Sequence, residues 1–364
     1  MNSLKSDTKY FPGLDGLRGI SCLIVVLTHN FGFSNFFEFG WLGVDLFFVI
    51  SGFLITNVLL NSLDTENYLK NFYLRRFLRI FPLYYLMLAL FIFILPAFKY
   101  FDEHLRYYSE NQLWFWLYFQ NWLFIFNFPT EAKHLTHFWS LAVEEQFYLL
   151  WPLIILWLRT PKKLISFILL VLISLFFIRS YVWYLHIEGF NYTVFYRFTR
   201  IDGICIGCLL ALYYKVNKNF ISNNMALLTI LLALLNFIFY FLNKQNNFDF
   251  PYLAYIGYTT FSAMLGLLVN EIIRGNKSWF FSFFSFPPFR FIGKISYGLY
   301  VYHYPIFLLT QKNLVQFFST NVNISLIQSK YAAAFFATIF AILISLISYH
   351  FFEKRLLKIK EKFI

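Results

Sequence analysis

Long apolar runs recur along the whole chain, and they constrain its fold more than any other feature. A helix needs roughly 20 apolar residues to cross the hydrocarbon of a bilayer. Eleven apolar runs occur, at 17–35, 40–60, 80–98, 113–128, 146–158, 164–184, 201–214, 225–242, 252–273, 291–310 and 331–352. Only 13% of the 364 residues are charged, about half the share of a soluble domain. The sequence therefore predicts an all-α polytopic membrane protein and excludes a disordered chain, a coiled coil or a disulfide-stapled module.

The run 113–128 differs from the other runs. It is mostly aromatic, is interrupted by Gln120 and Asn121, and ends at Pro129. Because such aromatic residues favour the membrane interface, we predict one interfacial or re-entrant segment here and about ten transmembrane helices elsewhere. Both termini are then cytoplasmic, together with most of the 30 Lys and Arg residues. This positive-inside distribution explains the net charge of +12 without a nucleic-acid partner.

The sequence has neither a fixed-period repeat nor a low-complexity linker. It predicts a single membrane domain over 1–364, with no appended soluble domain, in the cell (inner or plasma) membrane. The three cysteines, Cys22, Cys205 and Cys208, lie in apolar runs. They are expected to be small buried hydrophobes rather than disulfides or metal ligands, and no metal site is predicted.

Ionisable side chains inside a bilayer are costly and by default indicate function. Arg18 and His29 are eleven residues apart in the first run, which puts them ~16 Å apart on one helix face. A neutral His at this depth suits general-base work, and the alternative is a structural His bonded within the bundle. Asp45 in the second run needs a partner, for which we expect Arg18 or His29; the alternative is a packing ion pair.

Three arginines, Arg75, Arg76 and Arg79, precede Pro82 at the cytoplasmic end of the third helix. They have two interpretations. Such residues either anchor the helix by the positive-inside rule or form an anion site, since guanidinium groups suit phosphates. The spacing alone leaves both open.

The densest polar cluster is the stretch 134–148. Within it Ser140, Glu144 and Tyr148 recur every fourth residue and share one helix face. The macrodipole also favours Glu144 and Glu145 near a helix N-terminus. Two adjacent carboxylates at the start of a membrane span still exceed what the helix end needs, so we interpret this cluster as functional.

Two later helices also carry polar residues. Arg200 and Asp202 open the sixth helix. They are two residues apart and cannot both face one partner, so we expect them to have separate roles. Gly203 and Gly207 follow and permit close helix contact.

The ninth helix carries a polar stripe. Ser296, Tyr300 and His303 fall on one face at i, i+4 and i+7. Pro305 follows and is expected to weaken the helix there.

Six ordered blocks of the chain together resemble the acyltransferase 3 family of membrane acyltransferases, and the resemblance covers nearly the whole chain. The blocks are LDGLRGISCLIVVLTH, GVDLFFVISGFLI, RRFLRIFP, HFWSLAVEEQFYLLWP, RIDGICIG and IGKISYGLYVYHYP. One departure lies in the tail, where FFEKRLL has Arg355 at a position that is usually Pro in the family. This departure leaves the end of the final helix open.

The resemblance implies a cytoplasmic acyl-CoA donor, most simply acetyl-CoA, and a hydroxyl acceptor on an extracytoplasmic or lipid-linked glycan. It implies His29 as general base, oriented by Glu144 or Asp45. The CoA phosphates are assigned to Arg18, Arg76 and Arg79. The acceptor site is assigned to Trp139, Ser140, Glu145, Tyr148, Arg200, Asp202, Tyr300 and His303.

Membrane lipids are further partners, and a separate periplasmic or extracellular protein is expected if the transfer is completed elsewhere. Two alternatives stay open. One is a transporter of an acyl donor or sugar, in which intramembrane His, Asp and Glu relay protons. The other is a transferase of succinyl or longer acyl groups.

Overall fold

The computed structural model describes residues 11–33, 39–98, 102–129, 132–185, 192–217, 225–245, 252–275 and 278–360. Within these ranges every regular element is helical. The α-helices are α1 (Pro12–Phe31), α2 (Gly40–Ser62), α3 (Tyr68–Ala89), α4 (Asp102–Glu110), α5 (Gln112–Trp116), α6 (Gln120–Phe126), α7 (Trp139–Leu158), α8 (Pro161–Tyr184), α9 (Tyr192–Thr199), α10 (Asp202–Val216), α11 (Ala226–Gln245), α12 (Tyr258–Ile273), α13 (Trp279–Phe284), α14 (Pro287–Thr320), α15 (Leu326–Ser348) and α16 (Lys354–Lys360). A 3₁₀ segment, Lys133–Phe138, leads into α7.

Seven helical segments among the described residues are long and apolar enough to cross a membrane. They are Gly40–Ser62, Tyr68–Ala97, Lys133–Leu158, Pro161–Tyr184, Ala226–Asn243, Tyr255–Ile273 and Leu326–Ile359. The chain is therefore an all-α polytopic membrane protein, as predicted. The other three predicted spans form the helices α1, α10 and α14. The count of ten and the side of the termini stay predictions, and residues 1–10 and 361–364 lie outside the described ranges.

The aromatic run 113–128 does not form one continuous helix. It is divided into α5, of 5 residues, and α6, of 7 residues. Tyr118 between them has a φ of 58°, a left-handed conformation that ends a helix. Its ring stacks on that of Tyr84, with centroids 4.1 Å apart. Neither short helix is long enough to span the hydrocarbon, which supports the prediction of an interfacial or re-entrant segment.

The chain divides into two compact units. The first unit contains the described parts of Met1–Ser21, Val44–Tyr68 and Val143–Phe291. The second contains those of Cys22–Gly43, Leu69–Ala142 and Ile292–Ile364. Each unit draws on three separate stretches of chain, and the prediction of a single domain over 1–364 stays a prediction.

In the first unit, α2 and α10 approach each other closely through glycines. A methyl group added to Gly207 would lie 2.1 Å from the carbonyl oxygen of Val49. One added to Gly52 would lie 2.2 Å from the carbonyl oxygen of Ile204. Only the absence of a side chain permits this separation, so the predicted close contact at the α10 glycines is confirmed.

In the second unit, α14 and α15 are long helices. Pro305 lies inside α14 without ending it, because membrane helices tolerate the lost hydrogen bond when neighbouring groups compensate. After α15 the chain continues through a π-helical turn, Tyr349–Glu353, into α16. The sequence did not determine where the final helix ends. In the structure the chain is helical through Arg355, the position that is usually Pro in the family that the sequence resembles. The three cysteines, Cys22, Cys205 and Cys208, are free and buried, as predicted.

Candidate active site

Three histidines of the second unit lie together. His29 Nδ1 is 2.7 Å from His303 Nε2, and the two rings are nearly parallel, at 10°. The ring of His137 is tilted steeply to both, with centroids 6.1 Å from His29 and 5.1 Å from His303. Tyr304 covers His29, with ring centroids 4.6 Å apart. His137 and His303 are buried, while His29 is partly exposed.

The helix that carries His29 is fixed to its neighbours on both sides of this residue. Cys22 on α1 donates its thiol proton to the carbonyl of Ser296 on α14, at 3.5 Å. Asn30 Nδ2 donates to Thr338 Oγ1 on α15, at 2.8 Å. These contacts hold the second half of α1 against α14 and α15. The residues of the predicted polar stripe of α14, Ser296, Tyr300 and His303, are all buried.

Ser140 and Tyr300, both predicted to bind the acceptor, contact each other. Their hydroxyl oxygens are 2.5 Å apart. Tyr300 donates to the carbonyl of His137 at 2.9 Å, and Ser140 reaches the same carbonyl at 3.2 Å. The two hydroxyls therefore anchor the backbone that presents the His137 imidazole.

The 3₁₀ segment that carries His137 is anchored at both ends. Tyr108 on α4 accepts from the Leu135 amide at 2.9 Å and donates to the carbonyl of Ala132. Gln120 on α6 donates to the carbonyl of Phe138 at 2.8 Å. Burial raises the pKa of Tyr108, so its phenol stays protonated and keeps donating. The short helices α4 and α6 thus position this segment.

In the first unit, Asp202 belongs to a buried ion pair. Its carboxylate accepts two hydrogen bonds from Arg179 on α8, at 2.6 and 3.1 Å. Thr259 on α12 donates to the same carboxylate at 2.6 Å. With three donors directed at it, Asp202 is satisfied as a charged group in a buried site.

Asp45 pairs with a different residue from those that the sequence suggested. We predicted Arg18 or His29 as its partner, but the Arg200 guanidinium lies 3.1 Å from its carboxylate. Arg200 also lies over the ring of Tyr258, 4.9 Å from the centroid. The pairing of Asp45 reflects tertiary packing, which helix order does not reveal. Arg200 and Asp202 have separate partners, as predicted, and the packing interpretation of Asp45 gains support.

The other predicted residues of the first unit have these positions. Ser51 on α2 donates to Glu144 at 2.8 Å. Glu145 is partly exposed, whereas Tyr148 is buried. Arg18 lies 3.9 Å from Asp15, one turn earlier in α1. The prediction that Glu144 or Asp45 orients His29 is not tested by these contacts.

The remaining predicted residues belong to the second unit. Trp139 is buried at the start of α7. Arg76 and Arg79 are partly exposed on α3, three residues apart and therefore on one face. Arg76 lies over the ring of Phe72, 5.8 Å from the centroid. Two partly exposed guanidinium groups on one face are compatible with both the anchoring and the anion-binding interpretation.

No individual role was assigned from the sequence to three residues that the geometry makes prominent. These are His137, Tyr304 and Arg179. A buried arginine within the apolar α8 is a signal in itself, because a charge there requires a partner. The signal for His137 was only its place in the polar stretch 134–148, since it comes from a 3₁₀ turn rather than from a helix face. Among the described residues, no group of three or more His, Cys, Asp or Glu side chains has the arrangement of a metal site.

Comparison with known proteins gives a consistent result. A family model for an acyltransferase domain matches residues 11–350. The peptidoglycan O-acetyltransferase OatA of Listeria monocytogenes is 34% identical over 331 residues, which cover 83% of this chain and 50% of that protein. The O-acetyltransferase OatA of Staphylococcus aureus is 31% identical over 327 residues, covering 85% and 52%. The putative peptidoglycan O-acetyltransferase YrhL of Bacillus subtilis is 30% identical over 327 residues, covering 83% and 49%.

This chain thus spans about half the length of the curated relatives that it matches. No solved structure matches it.

Proposed function

The chain belongs to the acyltransferase 3 family, and on this premise we propose that it transfers an acetyl group from cytoplasmic acetyl-CoA to a hydroxyl of a cell-envelope glycan. Peptidoglycan is the first acceptor to test, because two of the relatives carry it in their names. The observation that carries the proposal is the histidine cluster, in which the partly exposed His29 is supported by two buried imidazoles.

His29 is the general base of the proposed reaction. It takes the proton of the acceptor hydroxyl while the hydroxyl oxygen attacks the carbonyl carbon of the thioester. The tetrahedral intermediate then collapses, the carbon–sulfur bond breaks, and the CoA thiolate takes the proton back from His29. An imidazole suits both steps, because the same ring nitrogen can accept a proton from one group and return it to another.

The donor is proposed to bind through arginine. Arg76 and Arg79 present two guanidinium groups on one face of α3, and such groups bind phosphates with charge-assisted hydrogen bonds. Arg18 is assigned to the same CoA phosphates on the strength of the sequence pattern alone. On the acceptor side, the sequence pattern supports Trp139, Ser140, Glu145, Tyr148, Arg200, Asp202 and Tyr300 as the proposed residues, whereas His303 contacts His29. The proposal that Glu144 or Asp45 orients His29 likewise rests on the sequence.

The proposed topology has ten crossings with both termini in the cytoplasm. It adds α1, α10 and α14 to the seven apolar spans. The 34 residues of α14 make a helix about 51 Å long, ample for a bilayer, whereas the 15 residues of α10 reach only about 22 Å. Reporter fusions after each helix test this arrangement. If the reporters before and after α10 are both cytoplasmic, α10 does not cross the membrane.

Release of CoA tests the proposed function directly. Purified protein in lipid nanodiscs is given acetyl-CoA and a soluble glycan fragment, and free thiol is measured. The His29→Ala variant should bind acetyl-CoA like the wild type and release no CoA above background. The control is His350→Ala, which removes an exposed histidine far along the chain.

The two alternatives give different results in this assay. Full turnover by His29→Ala contradicts the base assignment and favours a transporter that performs no chemistry. Faster CoA release from succinyl-CoA than from acetyl-CoA keeps the mechanism and changes the acyl group. Mass spectrometry of surface glycans, from cells restored with wild type or His29→Ala, then identifies the acceptor by the gain of one acetyl group.

A further inference from the structure

The protonation state of His303 follows from its backbone contacts. Its Nδ1 lies 3.0 Å from the carbonyl oxygen of Leu299 and 2.8 Å from that of Tyr300. A carbonyl oxygen only accepts, so Nδ1 must carry the proton. In the neutral imidazole the other nitrogen, Nε2, then holds a lone pair. The helix backbone of α14 therefore assigns the tautomer of His303.

The tautomer of His29 follows in turn. His303 Nε2 accepts, and the atom that lies 2.7 Å from it is His29 Nδ1. Nδ1 of His29 must therefore be the donor, which leaves the lone pair of the neutral ring on Nε2. We infer that His303 is a positioning residue that fixes His29 in the Nδ1-protonated form and thereby makes Nε2 the basic atom. This inference rests on the proposed function for the role of His29.

The surroundings of the two rings keep both tautomers fixed. His303 is completely buried, so solvent cannot exchange the donor and acceptor roles of its nitrogens. The rings of His29 and His303 are parallel within 10°, which puts Nδ1 and Nε2 in line for a hydrogen bond. Tyr304 packs against His29 on a ring face and restrains its rotation.

The pair also suits the charged state that arises during the reaction. When Nε2 of His29 takes the hydroxyl proton, Nδ1 still carries its own proton and still donates to His303. The bond then becomes charge-assisted and stronger, so His303 stabilises the imidazolium without taking the proton itself. The opposite tautomer of His29 would direct an N–H at the acceptor hydroxyl and place two lone pairs against each other.

A matched pair of amide variants tests this role. In His303→Gln the amide extends to about the place of Nε2 and can accept from His29, whereas in His303→Asn it is one methylene shorter and reaches only the backbone carbonyls. We expect His303→Asn to lower kcat for CoA release by about 10²- to 10⁴-fold with little change in the KM for acetyl-CoA, since a base held in the wrong tautomer loses activity on this scale. His303→Gln should recover at least tenfold of that loss.

Nitrogen NMR of histidine-labelled wild-type protein provides a test that does not depend on how the His303 variants fold. The His29 signals are identified by their loss in His29→Gln, and they should show a protonated Nδ1 and a bare Nε2. A protonated Nε2 overturns the inference, and so does wild-type kcat in His303→Asn. Turnover in His29→Ala, by contrast, rejects the proposed base itself, so the two failures are distinguishable.

Discussion

The carboxylate of Asp45 and the guanidinium of Arg200 form an ion pair at 3.1 Å, and both side chains are almost completely buried. Arg200 is also held over the ring of Tyr258. Removing one partner of a buried pair leaves an uncompensated charge, whereas removing both costs far less. The pair can therefore be tested for packing and for function separately.

Arg200→Met should reduce the free energy of unfolding by about 3–5 kcal/mol, because Asp45 is left charged and buried. The double variant Arg200→Met/Asp45→Asn carries neither charge and should recover most of this loss. Thermal unfolding in detergent, followed by tryptophan fluorescence, measures both.

Activity of the double variant then separates the two interpretations. Stable protein with normal CoA release means that the pair only packs α2 against the start of α10. Stable protein with a raised KM for the glycan means that Arg200 binds the acceptor, as the sequence predicted. Equal instability of the single and double variants would contradict the ion-pair argument.

The close contact of α2 and α10 makes a second prediction. Gly207→Ala places a methyl group 2.1 Å from a backbone carbonyl oxygen, and the helices must separate to admit it. We expect a loss of about 1–3 kcal/mol, despite the gain of about 1 kcal/mol in helix propensity.

The matched control is Gly298→Ala on α14. Its added methyl would lie 2.8 Å from Oε1 of Glu353, at the far end of a flexible side chain that can move away. This variant gains the same helix propensity and should keep or raise the melting temperature. If both variants behave alike, the α2–α10 contact is less rigid than its geometry indicates.

Much of this architecture was predictable because a helix face is a local property. The spacing of Ser296, Tyr300 and His303 determines that they share a face of α14, whatever packs against it. The aromatic composition and the two amides of 113–128 likewise indicated that this run is not a regular span. Such inferences require only the sequence within one element.

The partners of the charged residues were not predictable in the same way. The partner of Asp45 is Arg200, far along the chain, and the partner of Asp202 is Arg179 on another helix. Which helices pack together decides these pairs, and a single sequence does not contain that information. His137 joined the histidine cluster for a similar reason, because three distant residues anchor its 3₁₀ turn.

Arg76 and Arg79 on α3 make the third prediction. If they bind the CoA phosphates, Arg76→Gln and Arg79→Gln each remove a charge-assisted hydrogen bond worth about 1.5–3 kcal/mol. The KM for acetyl-CoA should then rise about 10- to 100-fold, with a smaller change in kcat. Kinetics of CoA release measure both constants.

Lys70→Gln is the control for this experiment. It removes one positive charge from an exposed side chain of the same helix but lies about 120° from Arg76 and about 180° from Arg79 around the helix axis. The donor KM should stay near that of the wild type. An equal effect of all three variants, or none of any, would identify the arginines as topology anchors.

The hydroxyl pair of Ser140 and Tyr300 makes the last prediction. Tyr300 donates to the His137 carbonyl and contacts Ser140 at 2.5 Å, so both hydroxyls act on one anchor. Ser140→Ala and Tyr300→Phe should each cost about 1–2 kcal/mol in unfolding free energy, since each leaves a buried polar group with fewer partners. The double variant should cost less than the sum, with a coupling of about 0.5–3 kcal/mol.

Kinetics decide whether these hydroxyls also bind the acceptor. Anchoring alone predicts that kcat falls, because the His137 turn loosens beside the His29–His303 pair, while the KM for the glycan stays unchanged. Acceptor binding predicts a raised glycan KM in both single variants. Additive stability losses with an unchanged kcat would show that the two hydroxyls neither act as one anchor nor support the histidine cluster.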